Sequence, residues 1–149
     1  MRPTRPWLLL VFAAAAGGIA YALTANFYAD VSSPPQFAPL WILLIALAEA
    51  YTASTTRARL VGRAGTRPIN PIFVARLAAL AKASSIVGAL AFGAYAGFLG
   101  YVARLPTGVA HTDTRTAALG MGCSLGLVGA ALLLERACRA PEPPDDAAP

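Results

Sequence analysis

Four long apolar segments constrain the fold of this chain more than any other feature. They span residues 7–25, 40–56, 71–102 and 114–138, and about 17–25 apolar residues in a helix cross the hydrocarbon core of a bilayer. Hydrophobic residues make up 57% of the chain and charged residues 13%, so a soluble fold of this length could not bury its apolar surface. The sequence therefore predicts one all-α domain over residues 1–140, a polytopic membrane protein with four transmembrane helices in an up-down bundle.

The first apolar segment admits two interpretations. Arg2 and Arg5 precede it, and an Ala-Tyr-Ala triplet that ends at Ala22 fits the small-residue pattern of a cleavage site, so residues 1–22 could form a cleaved signal peptide. The apolar run, however, is longer than the core of a usual signal peptide. We therefore expect a retained transmembrane helix.

Basic residues are unevenly distributed between the two ends of the predicted helices. One end holds Arg2, Arg5, Arg57, Arg59, Arg63, Arg67, Arg76, Arg136 and Arg139. The other end holds Arg104 and Arg115. Because basic residues accumulate on the cytoplasmic side, we predict a cell (inner) membrane protein with both termini and a basic loop, Arg57, Arg59, Arg63 and Arg67, in the cytoplasm. Membrane topology also explains the net charge of +5 without nucleic-acid binding.

Two charged residues, Glu49 and Lys82, lie well inside the apolar segments, whereas the other charged residues of these segments lie near their ends. Measured along the helices from Arg57 and Arg76, they lie about 12 Å and about 9 Å deep. Charged groups inside a membrane usually pair with one another and often mark function. We therefore predict an intramembrane ion pair that clamps the second and third helices together, and a proton or ion relay is the alternative.

Small residues repeat every four positions on two of the helices. Ala89, Gly93 and Gly97 form one ridge, and Gly122, Gly126 and Ala130 form the other. Such ridges let transmembrane helices approach closely. We predict that these two ridges pack against each other.

No pattern in the sequence indicates catalysis or a cofactor. His111 and Asp113 are too few to form a metal site, and no nucleophile-base arrangement, phosphate-binding loop or CxxC pair occurs. Residues 141–149 are acidic and rich in proline, which predicts a disordered tail. We expect no enzymatic activity and no cofactor.

Two stretches carry a resemblance to a known family. They are NPIFVARLAALAKASSIVGALAFGAYAG over residues 70–97 and LLLERACRAPEPPDD over residues 132–146. With the helix spacing, they resemble an actinobacterial domain-of-unknown-function family of small four-helix membrane proteins. The resemblance implies no assigned activity. Members are often encoded near folate-synthesis genes, which would imply at most a loose link to that pathway.

These features favour a protein that acts by association within the bilayer. The first hypothesis is a non-enzymatic accessory or scaffold subunit. We expect it to contact the lipid bilayer and to bind another protein or a second copy of the chain. We expect no binding of nucleic acid. The alternative is an oligomeric small-solute or ion transporter in which Glu49 and Lys82 line the path.

Overall fold

The computed structural model describes residues 5–28, 35–60 and 71–138. It contains four helices in these ranges: α1 Pro6–Phe27, α2 Ala38–Leu60, α3 Pro71–Val102 and α4 Gly108–Ala137. Each is long and apolar enough to cross a membrane, and none of the described residues forms a strand. The predicted all-α class with four membrane-spanning helices is confirmed. The acidic tail, residues 141–149, lies outside the described ranges.

Local sequence signals set the helix ends. Pro6 occupies the first turn of α1, where the missing amide hydrogen leaves no helical hydrogen bond unmade. Thr107 caps α4, because its hydroxyl oxygen accepts a hydrogen bond of 3.3 Å from the amide of Ala110. This cap starts α4 at Gly108 rather than near residue 114, and the polar residues that suggested a loop form its first turns.

The helices contact one another in the order α1, α3, α4, α2, which differs from their order in the chain. Gly93 of α3 lies against Ala13 of α1, and Gly97 lies against Gly17. This constant offset means that α1 and α3 run parallel. The chain alternates in direction from one helix to the next, but the neighbours in space are not always neighbours in sequence.

The α3 ridge therefore packs on α1, and the prediction that it meets α4 is wrong. A Cβ atom added to Gly93 or Gly97 would overlap a backbone carbonyl oxygen, that of Ala13 or Gly17 respectively. Ala89, the third member of the ridge, is buried. Glycine is required here because the two backbones come closer than any side chain would allow.

The α4 ridge also does not pack against the α3 ridge as predicted. Gly122 and Gly126 are exposed, with no heavy atom within 4 Å of their Cβ positions, although Ala130 is buried. The α4 face that packs on α3 instead holds Gly120 and Ser124, which are also small. Both faces of α4 have small residues, so spacing alone could not identify the one that contacts α3.

Small side chains make up most of the buried core, and large apolar side chains point outward. Among the described residues, the fully buried apolar ones are Ala81, Val102, Ala110, Ala117, Ala131 and Leu134. The exposed ones include Leu10, Ile19, Trp41, Leu47 and Leu119. Lipid chains solvate such residues, so a membrane protein gains little by turning them inward.

Three helices meet at one end of the bundle. Ala53 of α2, Ala81 of α3 and Leu134 of α4 form a buried cluster, and Ala137 and Cys138 pack against it. The end of α2, the start of α3 and the end of α4 therefore lie on the same side of the membrane.

We predict that Gly97→Ala will loosen the contact between α1 and α3. The added methyl group must push the α1 backbone away, and such overpacking costs about 1–3 kcal/mol. The melting temperature of the purified protein in detergent should fall. Gly18→Ala is the matched control, because Gly18 of α1 has open space at its Cβ position and should tolerate the change. Equal effects of both variants would contradict this packing.

Candidate functional site

Glu49 lies on the narrow face of α2 that packs against the rest of the bundle. Among the described side chains of α2, the buried ones are those of Pro39, Ala46, Glu49, Ala53 and Thr56, which share one side of the helix. Glu49 has the longest side chain among them and is only 5% exposed. It lies about one turn from Ala53, so its carboxyl group lies near the three-helix cluster.

The Glu49 carboxyl group has one polar neighbour on α3. Ser84, which is half-buried, is its hydrogen-bond partner. The second carboxyl oxygen, Oε2, is buried and has no hydrogen-bond partner. Among the described residues, no other buried side-chain nitrogen or oxygen atom lacks a hydrogen-bond partner. A buried polar atom without a hydrogen bond is unusual, because it has lost its contact with water and gained nothing in return.

The predicted ion pair between Glu49 and Lys82 is wrong. Lys82 is exposed, whereas Ala81 and Ser85 on either side of it are fully buried. One residue along a helix corresponds to a rotation of about 100°, so Lys82 points away from the face that Ser85 and Ala81 share. The depths of the two charges agree, but their directions around the helix axes do not.

Other buried hydroxyl groups bond to the backbone of their own helices. Ser85 donates to the carbonyl oxygen of Lys82 at 2.8 Å, and Ser124 donates to that of Gly120 at 2.7 Å. Thr116 donates to the Thr112 carbonyl oxygen at 3.2 Å. These groups are satisfied within the turn that precedes them, so they do not extend the Glu49 site into a polar path.

A second buried carboxyl group lies at the opposite end of the bundle. Asp113, which is 3% exposed, accepts a hydrogen bond from the Tyr28 hydroxyl to Oδ2 at 2.9 Å. Tyr28 is the C-cap of α1, and its ring packs on Phe98 and Tyr101 of α3 at centroid distances of 6.3 Å and 5.8 Å. The contact joins α1 to α4 around the end of α3. Sequence reasoning missed it, because Asp113 seemed to belong to an exposed loop.

Burial raises the pKa of the Tyr28 hydroxyl, and the hydrogen bond to Asp113 raises it further. Both effects favour the protonated phenol, which is the form that donates the bond. Tyr28 therefore acts as a permanent hydrogen-bond donor at neutral pH.

Arg104 and Tyr21 form a neighbouring, exposed contact. The Arg104 Nη1 atom donates to the Tyr21 hydroxyl oxygen at 3.2 Å, and the guanidinium carbon lies 5.9 Å from the ring centroid. The Tyr21 ring meets Tyr101 edge to face at 6.1 Å. Aromatic rings and an arginine are typical of the membrane-water interface.

The remaining predicted residues lie at the surface or outside the described ranges. Arg57 is exposed near the end of α2, and Arg59 is in the same helix, with its side chain outside the described set. Arg63 and Arg67 also lie outside it. His111 is exposed in the second turn of α4, and the described residues contain no group of three potential metal ligands.

We predict that Tyr28→Phe will destabilise the protein by about 1–3 kcal/mol, because buried Asp113 loses a hydrogen-bond partner. Thermal unfolding in detergent is the measurement. Tyr21→Phe, the matched control, removes an exposed bond that water can replace and should cost less.

The raised pKa of Tyr28 adds a pH test. The stability that Tyr28 contributes to the wild-type protein is present below the ordinary pKa of tyrosine and declines as the pH rises above that value. This alkaline decline should be weaker in Tyr28→Phe, and identical curves would contradict the assignment.

Comparisons with known proteins identify the family but bring no activity. No curated protein and no solved structure gives a significant match. One family model matches residues 9–142, and it is described as a protein of unknown function, DUF3180. The match includes all of α2, α3 and α4 and most of α1. This chain, with its four apolar helices, therefore belongs to the DUF3180 family.

Proposed function

We propose that this protein is a non-enzymatic accessory or scaffold subunit of the cell (inner) membrane, with both termini in the cytoplasm. In this role, one outward face of α4 holds a transmembrane helix of another membrane protein. The link between α3 and α4, residues 103–107, is short and leaves little room for a catalytic site within it.

The observation that carries this proposal is a set of uncovered glycines on α4. Gly122, Gly126 and Gly129, here called the α4 glycine face, are exposed and have no heavy atom within 4 Å of their Cβ positions. Three exposed leucines flank them: Leu119, Leu125 and Leu133. Together they form an apolar surface on which larger side chains lie beside the glycines.

The protein itself provides an example of what such a surface accepts. Gly93 and Gly97 of α3 let α1 approach to backbone contact. The α4 glycine face has the same kind of surface without a helix on it. Glycine weakens a helix interior by about 0.5–1 kcal/mol relative to alanine, so three outward glycines favour a role in close helix contact over simple exposure to lipid.

The distribution of basic residues supports the proposed orientation. Arg57, Arg76 and Arg136 are exposed near the end of the bundle where the Ala53 cluster lies. Arg104 and Arg115 are exposed near the other end. The excess of positive charge at the first end favours the cytoplasm on that side.

We predict that Gly126→Leu will prevent association with the partner helix, because the leucine side chain keeps the partner backbone away from the glycine face. A photo-crosslinking residue in place of Leu125 in intact cells should yield a crosslinked membrane protein, identified by mass spectrometry, and Gly126→Leu should reduce this product at least about tenfold, a loss of roughly 1.4 kcal/mol.

Gly18→Leu is the control, because Gly18 is equally open but lies on α1. It should leave the crosslink intact. A product that contains only lipid, or only a second copy of this chain, would contradict the accessory role.

The transporter alternative receives less support from the geometry. It requires Glu49 and Lys82 along one path, and the two side chains point in different directions. Proteoliposomes tested with gradients of ions and small solutes provide the measurement. Flux that is lost in Glu49→Gln would overturn the accessory role in favour of transport.

A further inference from the structure

We propose that Glu49 is a proton-binding site and that its bound proton holds α2 against α3 and α4. The proposal is independent of the α4 glycine face. It depends on three features of Glu49: its burial, the lack of a partner for Oε2, and the absence of a counter-charge among the described groups that surround it.

The surroundings of Glu49 favour a neutral carboxyl group. On α3, Ser84 faces the carboxyl group, and the cation Lys82 is exposed. On α4, the register with Ala53 places Ala130 and Ala131 at the same level. An ionised carboxyl group without a paired cation is strongly unfavourable in such a place. One bound proton removes that charge.

Apart from the exposed Lys82 of α3, the nearest described titratable groups on the packed helices lie closer to the membrane surface. Glu135 and Arg136 of α4 are more than one turn beyond Ala130, half-buried and exposed respectively. On α2 itself, Arg57 is exposed two turns further on. None of them reaches the level of the Glu49 carboxyl group along its helix, so a proton is the available means of neutralising it.

The ligand is a proton rather than a metal cation. Hard cations take about six oxygen ligands, and the site offers the two carboxyl oxygens and the Ser84 hydroxyl. Ser85 donates to the Lys82 carbonyl oxygen, and Thr52 donates to the Ala48 and Glu49 carbonyl oxygens. These hydroxyl groups are directed to their own helices rather than to a shared ion.

The proton has a structural consequence because Glu49 is central to the packing face of α2. The other buried residues described on that face are small or are a proline, so Glu49 has the longest side chain buried there. An ionised Glu49 would seek water, and α2 would have to move away from α3 and α4 to supply it. Loss of the proton should therefore weaken the association of α2 with the bundle.

Dicyclohexylcarbodiimide provides the first test, since this apolar reagent modifies protonated carboxyl groups that are shielded from water. The protein in native membranes is labelled over a range of pH, and peptides are analysed by mass spectrometry. Glu49 should form an N-acylurea adduct, and above its midpoint the labelling should fall about tenfold per pH unit, as for one proton. Glu135, near the end of α4, should not be labelled in this way. Absence of the Glu49 adduct, or labelling that does not change with pH, would overturn the proposal.

The second test compares thermal stability across pH for wild type, Glu49→Gln and Glu135→Gln. Glutamine has the shape of the protonated acid but cannot ionise. Wild type and Glu49→Gln should agree at acidic pH, and wild type should lose stability as the pH rises while Glu49→Gln does not. Glu135→Gln should follow wild type. Parallel curves for wild type and Glu49→Gln would overturn the proposal even if labelling succeeds.

Discussion

Backbone contact between α1 and α3 is the interaction on which the rest of the bundle depends. Lipid chains are as apolar as the helices, so burial of apolar surface does not bring helices together, and close van der Waals packing must do so. Gly93 and Gly97 make such packing possible against Ala13 and Gly17. With one face of α3 covered by α1, another face remains for α4, and α4 in turn carries α2.

Polar groups in this bundle are satisfied in two different ways. The buried hydroxyl groups of Ser85, Ser124 and Thr116 bond to carbonyl oxygens within their own helices, which makes them compatible with an apolar core. The buried carboxyl groups instead join helices. Asp113 accepts a bond from Tyr28 across α1 and α4, and Glu49 meets Ser84 across α2 and α3. Each carboxyl group therefore lies where a contact between helices is otherwise slight.

The candidate site shows how far position along a helix can be inferred, and where that inference stops. The depth of Glu49 and Lys82 follows from counting residues, because the rise per residue of a helix is constant. Whether they meet depends on how α2 and α3 are rotated about their axes, and neighbouring small residues decide that rotation. Ala81 and Ser85 take the inner face of α3, which leaves Lys82 outside. The Tyr28 contact with Asp113 was unpredictable for the same reason, since it joins residues far apart in the chain.

Composition and order along the chain determined that this protein has four membrane-spanning helices, because each segment must satisfy its backbone hydrogen bonds internally and match the thickness of the bilayer. Which helix faces which was decided only in the tertiary structure. Several ridges of small residues compete for the same few contacts, and all of them have the same four-residue spacing. The close fit of Gly93 and Gly97 to α1 selected one arrangement, and it left Gly122 and Gly126 of α4 uncovered.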